Sequence, residues 1–126
     1  MSYKTPLGQV RGLGSAKGGT RHWWTQRLTA VALVPLMVWF VVSILMMMGA
    51  DRVVIVGWLD NPLVAGLMLV LILATFHHAQ LGLQVVIEDY VHSDIWKIGL
   101  IVFVKFAALL LGGIAVISVL KLAFGS

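Results

Sequence analysis

An all-α membrane protein with three transmembrane helices is the fold class that the sequence predicts, and three observations predict it. Apolar residues make up 60% of the 126 residues and charged residues only 11%, whereas a water-soluble globule covers itself with roughly 25% charge. Three long stretches are almost free of charge. Each is long enough to cross, because a helix rising ~1.5 Å per residue needs ~20 residues for a hydrocarbon layer of ~30 Å. Lipid offers no hydrogen bonds, so each span must satisfy its own backbone, and helices do.

The elements follow in order. Residues 1–27 form a basic leader carrying Lys4, Arg11, Lys17, Arg21 and Arg27 and no acid, with a glycine-rich, flexible tract from Gly12 to Gly19. Residues 28–126 form the membrane domain, with spans at about 28–50, 61–88 and 97–121. Leu28 is too far from Ala50 for a secretory h-region of 7–15 residues, and Met46 to Asp51 is a poor cleavage site, so the first span is retained. Pro35 predicts a kink inside it, and Pro62 suits the first turn of the second helix. The connections, Asp51 to Asp60 and Glu88 to Lys97, are too short to hold a folded extramembrane domain. The third span is interrupted only by Lys105.

Orientation comes from the basic residues. Five precede the first span, whereas the first connection has only Arg52, the second only Lys97 and the C-terminal end only Lys121. Excess Lys and Arg stay cytoplasmic, so the N-terminus and second connection are expected inside and the C-terminus outside. Trp23, Trp24 and Trp96 then fall at the inner interface and Trp58 at the outer one, as an aromatic belt requires. Trp39 is mid-span and is expected to pack.

Composition also excludes functions. Without cysteine the chain offers no disulfide, iron–sulfur ligation, thiolate haem ligation or zinc–thiolate site. The formal charge of +4 gathers in the leader, which argues for topology and against nucleic acid. All five carboxylates (Asp51, Asp60, Glu88, Asp89, Asp94) lie outside the spans or at their edges. A proton- or cation-coupled pump usually keeps an acid near the midplane, so transport is demoted.

The polar groups at membrane depth are His77, His78, Gln80, Gln84 and Lys105. Such residues are costly there and mark function by default. A histidine in this position either hydrogen-bonds a neighbouring helix, stabilising by about 1 kcal/mol, or serves as an axial haem ligand in a bundle core. At 100° per residue, His78, Gly82, Val85 and Asp89 share one stripe. Asp89 returns to within roughly 20° of His78, about 16 Å along the helix. Gly82 leaves a gap where a flat macrocycle or another helix can approach. His77 points about 100° away and fits a packing or hydrogen-bonding role, although two adjacent histidines leave the choice of ligand open. Tyr90 is either an aromatic-belt residue or a hydrogen-bond donor to a quinone carbonyl supported by Asp89. Arg27 is either a topology anchor or a bidentate partner for a haem propionate, with His22 nearby. Lys105 snorkels to the inner interface and is given no role.

The run from His78 through Ala79-Gln80-Leu81-Gly82 to Glu88-Asp89-Tyr90-Val91 resembles the second-helix signature of the small hydrophobic membrane anchor of succinate dehydrogenase, the succinate:quinone oxidoreductase. In that signature a histidine is followed after ten residues by Asp-Tyr. The entry to the first span, His22-Trp23-Trp24-Thr25-Gln26-Arg27-Leu28-Thr29-Ala30, is similar to the family's His, aromatic, Arg-x-Thr-Ala pattern. With the three-span layout the resemblance covers nearly the whole chain, and the third helix adds little to it. It implies that His78 is one axial ligand of a b-type haem shared with a second hydrophobic anchor (cytochrome b) subunit, the three spans and that subunit forming one haem-binding bundle. It implies that Tyr90, with Asp89 beside it, holds ubiquinone near the inner surface, and that Arg27 and His22 contact haem propionates. Electrons would arrive from a flavoprotein subunit through an iron–sulfur subunit, both on the cytoplasmic face. The short leader runs straight into the first span with no clear Arg/Ser-rich amphipathic presequence, which favours a bacterial inner membrane over a mitochondrial one. A fumarate reductase anchor is a close relative of this reading. A small oligomeric transporter and a cofactor-free assembly or anchor protein of a respiratory complex are the alternatives from other classes.

Overall fold

The computed structural model describes residues 16–125, and the side chains from residue 20 onward. Lys4, Arg11 and the start of the glycine tract therefore lie outside the described residues. Four helices follow one another: α1 (Ala16–Met46), α2 (Arg52–Asp60), α3 (Pro62–Tyr90) and α4 (Asp94–Phe124). Of these, α1 from Thr20, α3 and α4 are long and apolar enough to cross a membrane, at 27, 29 and 31 residues. Each exceeds what ~30 Å of hydrocarbon requires.

The helices overrun the apolar stretches at several ends. α1 begins at Ala16, so Ala16–Gly19 of the glycine tract and the rest of the leader through Arg27 are helical and continuous with the first span. α3 runs to Tyr90 and α4 begins at Asp94, which shrinks the second connection to residues 91–93. Hydropathy marks where lipid ends, but the hydrogen-bond ladder continues wherever nothing breaks it. At the start of α4 a side chain helps: Asp94 lies in the first turn, where a carboxylate suits the positive end of the helix dipole. α1 also continues through Pro35.

The first connection is mostly helix, which its flanking acids conceal. Gly49, at φ 81°, occupies the left-handed conformation just beyond α1, as a helix-terminating glycine does. Residues 52–60 then form α2, whose Leu59 is buried. Asn61 caps α3 by accepting the Leu63 N–H at 2.9 Å, with Pro62 in the first turn as expected.

α3 is the central helix. It packs on α4 along one side and on α1 along the other, while the backbones of α1 and α4 make no close approach among the described residues. The best-buried cluster, Leu59, Val64, Ala65, Val119 and Ala123, lies where α2 covers the start of α3 and the end of α4. Trp39 of α1 stacks on Trp58 of α2 there, centroids 5.7 Å apart and planes 28° from parallel, so Trp58 is a packing residue as well as a belt candidate. At the opposite end Trp23, Trp24 and Trp96 are exposed. The Phe76 ring of α3 packs on α4 at Gly112, where an added Cβ would stand 3.5 Å from it.

Candidate functional site

The histidine stripe on α3 faces α1. His78 is half-buried, and its Nδ1 lies 3.0 Å from Thr29 Oγ1 across the α1–α3 seam. Thr29 Oγ1 is also 2.9 Å from the Thr25 carbonyl and 3.0 Å from the Gln26 carbonyl, the back-bonded arrangement of a threonine inside a helix. One turn along α3, a side-chain carbon at Gly82 would stand 3.7 Å from Gln26 Nε2. The gap left by Gly82 therefore admits another helix, the second of the two occupants it allows. Gln26 Oε1 is buried there without a hydrogen-bond partner.

The stripe ends at Asp89 and Tyr90, which close α3 and stand exposed, Tyr90 at 77%. The half-buried imidazole and the exposed acid–phenol pair are thus separated by 11 and 12 residues of unbroken helix, about 16–18 Å.

The leader's candidates divide between two faces of α1. At 100° per residue His22 lies within about 20° of Thr29, whereas Arg27 lies about 160° away. Arg27 is exposed, and its guanidinium sits 5.4 Å from the Trp23 ring centroid in a cation–π arrangement. The structure brings Thr29, Gln26, His78 and Gly82 together. Arg27 is not brought to them within this chain.

His77 occupies a second polar stripe on the other side of α3. It lines an open groove of about 570 Å³ between α3 and α4 with Gln80 and Lys105. Gln80 donates to Gln84 at 3.1 Å and Gln84 to Glu88 at 3.0 Å. This i, i+4 ladder pairs the amides with one another through the apolar layer and ends on a carboxylate at the helix end, so neither amide faces lipid without a partner.

Thr29 and Gln26 are the residues that sequence reasoning leaves without a role. Their signal is present but weak: Thr29 stands in the Arg-x-Thr-Ala pattern without a task of its own, and positions 22, 25, 26 and 29 return to one face of α1, which is also how a packing face looks. Chemically, the site offers one imidazole from this chain, and no group of three His, Cys, Asp or Glu among the described residues could hold a bare metal ion.

Known proteins supply the family. The family model described as "Succinate dehydrogenase/Fumarate reductase transmembrane subunit" matches residues 1–115. The succinate dehydrogenase hydrophobic membrane anchor subunit of Rickettsia bellii is 33% identical over 108 residues, 86% of each chain. The subunit of that name from Paracoccus denitrificans is 29% identical over 106 residues, covering 84% of this chain and 82% of its own. The succinate dehydrogenase membrane anchor subunit of Reclinomonas americana is 28% identical over 96 residues, 74% of this chain and 80% of its own. No solved structure matches. Three spanning helices, the His78 to Asp89-Tyr90 stripe and these matches converge, and the chain belongs to the succinate dehydrogenase/fumarate reductase transmembrane subunit family as a multi-pass, all-α membrane anchor.

Proposed function

We propose that this membrane anchor co-ligates a b-type haem through His78 and forms part of a ubiquinone-reduction site through Tyr90 and Asp89. Its partners are a second hydrophobic anchor subunit, an iron–sulfur subunit and a flavoprotein subunit. Its place is a bacterial inner membrane, with the N-terminus cytoplasmic and the C-terminus periplasmic. The observation that carries this reading is the stripe on α3, which sets a half-buried imidazole and an exposed acid–phenol pair on one helix about 16 Å apart.

The residues fit a haem better than a free ion. A porphyrin brings four nitrogens of its own and asks the protein only for axial donors, so one imidazole from each of two chains suffices. The spans also bury little of themselves within this chain, which leaves room for a second chain to supply the other donor. When bound, the haem supplies a one-electron carrier inside the membrane.

The chain's own groups have distinct tasks. His78 holds its ring at fixed depth on α3. Tyr90 donates its phenolic proton in a hydrogen bond to a quinone carbonyl at the membrane surface, and Asp89 beside it accepts and orients. Arg27 and His22 offer hydrogen-bonding groups to propionates at that same end; His22 does so from the Thr29 face and Arg27 from the opposite, exposed face.

The test is the reduced-minus-oxidised spectrum of the purified complex. A b-type spectrum that His78→Ala abolishes or shifts, and that His77→Ala spares, is the expected result. The reverse pattern moves the ligand to His77, and a complex without haem removes it.

A further inference from the structure

Thr29 touches His78 on the nitrogen that would not face iron, and its own bonding decides which way the proton between them points. Its oxygen has three neighbours at hydrogen-bond distance: the Thr25 carbonyl, the Gln26 carbonyl and His78 Nδ1. A hydroxyl has one proton and two lone pairs, and a carbonyl oxygen can only accept. Both carbonyls lie on the helix turn behind Thr29, so the hydroxyl proton is drawn to the backbone. What remains toward His78 is a lone pair.

We infer that Thr29 is a positioning residue for His78: its hydroxyl accepts the proton of Nδ1, fixes the imidazole as the Nδ1–H tautomer, and leaves the lone pair on Nε2. This rests on the reading of His78 as an axial ligand. The β-branch of Thr29 limits χ1, and the back-bond to the turn holds the oxygen still, so the ring is oriented about its own axis as well as protonated on a chosen side. A histidine ligand whose other nitrogen donates to an oxygen is a stronger donor to its metal. Thr29 therefore holds the iron's potential lower than an unanchored imidazole would, because greater donation favours the oxidised ion.

The assembled complex with its partner subunits tests this through spectroscopy and potentiometry. Thr29→Val keeps the shape and removes the acceptor, whereas Thr29→Ser keeps the acceptor. The expected result is that Thr29→Val retains haem with a raised midpoint potential and shifted low-spin g-values, and that Thr29→Ser returns both toward wild type. Unchanged potential and g-values in Thr29→Val would overturn the inference and leave Thr29 as packing. If Thr29→Val does not assemble, proton hyperfine spectroscopy on the wild-type complex decides: a hydrogen-bonded Nδ1 proton on the axial imidazole supports it, and a bare Nδ1 overturns it. Failure of the parent reading is separate, because a low-spin haem spectrum that survives His78→Ala sinks the ligand assignment itself.

Discussion

At the scale of single residues, the end of α3 carries the sharpest expectation. Tyr90 is exposed at the close of the helix, so Tyr90→Phe removes a hydroxyl without disturbing a core. Loss of one hydrogen bond to a reacting carbonyl corresponds to about 10–100-fold in quinone reduction. Succinate oxidation with an artificial acceptor should survive, since under the proposed function the electrons then leave before reaching this chain. Assaying both activities on the same preparation checks it, and equal loss of both would count against a quinone role. His78 is legible as a candidate in the sequence because lipid penalises its residue type at that depth, whereas Asp89 and Tyr90, at the helix end, are legible through their spacing from it. Thr29 is not, because a threonine satisfied by its own helix carries no such penalty and announces its partner, 49 positions away, only once the helices are packed.

At the scale of elements, the spans are legible and their ends are not. Charge and polarity report the hydrocarbon boundary, whereas helices stop at backbone events such as Gly49 beyond α1 and the Asn61–Pro62 cap of α3. α2 escapes notice because Val53 to Leu59, bounded by Asp51 and Asp60, is too short to span and reads as a connection. Two substitutions probe the packing. Gly112→Leu forces a branched side chain against the Phe76 ring, 3.5 Å from where its Cβ would lie, and should destabilise the α3–α4 seam by about 1–3 kcal/mol. Asn61→Ala removes the cap on α3 and should cost about 1 kcal/mol. Thermal midpoints of the detergent-solubilised complex are expected to fall in both, further for Gly112→Leu.

At the scale of the whole molecule, little of the chain is covered by itself. None of the most apolar window of α1 is buried, and only 11% of that of α3 and 6% of that of α4. Lipid is one cover, and a second anchor subunit is the other that the proposed function requires. Expressed without that subunit, the chain should insert into membranes yet show no b-type spectrum, which difference spectroscopy of the membranes would reveal. The asymmetry of basic residues predicts that an alkaline phosphatase fused after Ser126 is active, whereas one fused at His92 is inactive. The opposite pair of results would invert the proposed orientation.

The bond between Thr29 and His78 also works as a datum mark along the membrane normal. α1 and α3 meet along a seam where aliphatic side chains alone would let one rod glide past the other, since lipid and leucine are nearly interchangeable surroundings. One directional pairing, stabilising by about 1 kcal/mol, is lost on a slip of a single pitch, about 5.4 Å. Holding that register keeps His22 on the same side of the pairing as Asp89 and Tyr90, with Gln26 against Gly82 as a second mark on the same seam.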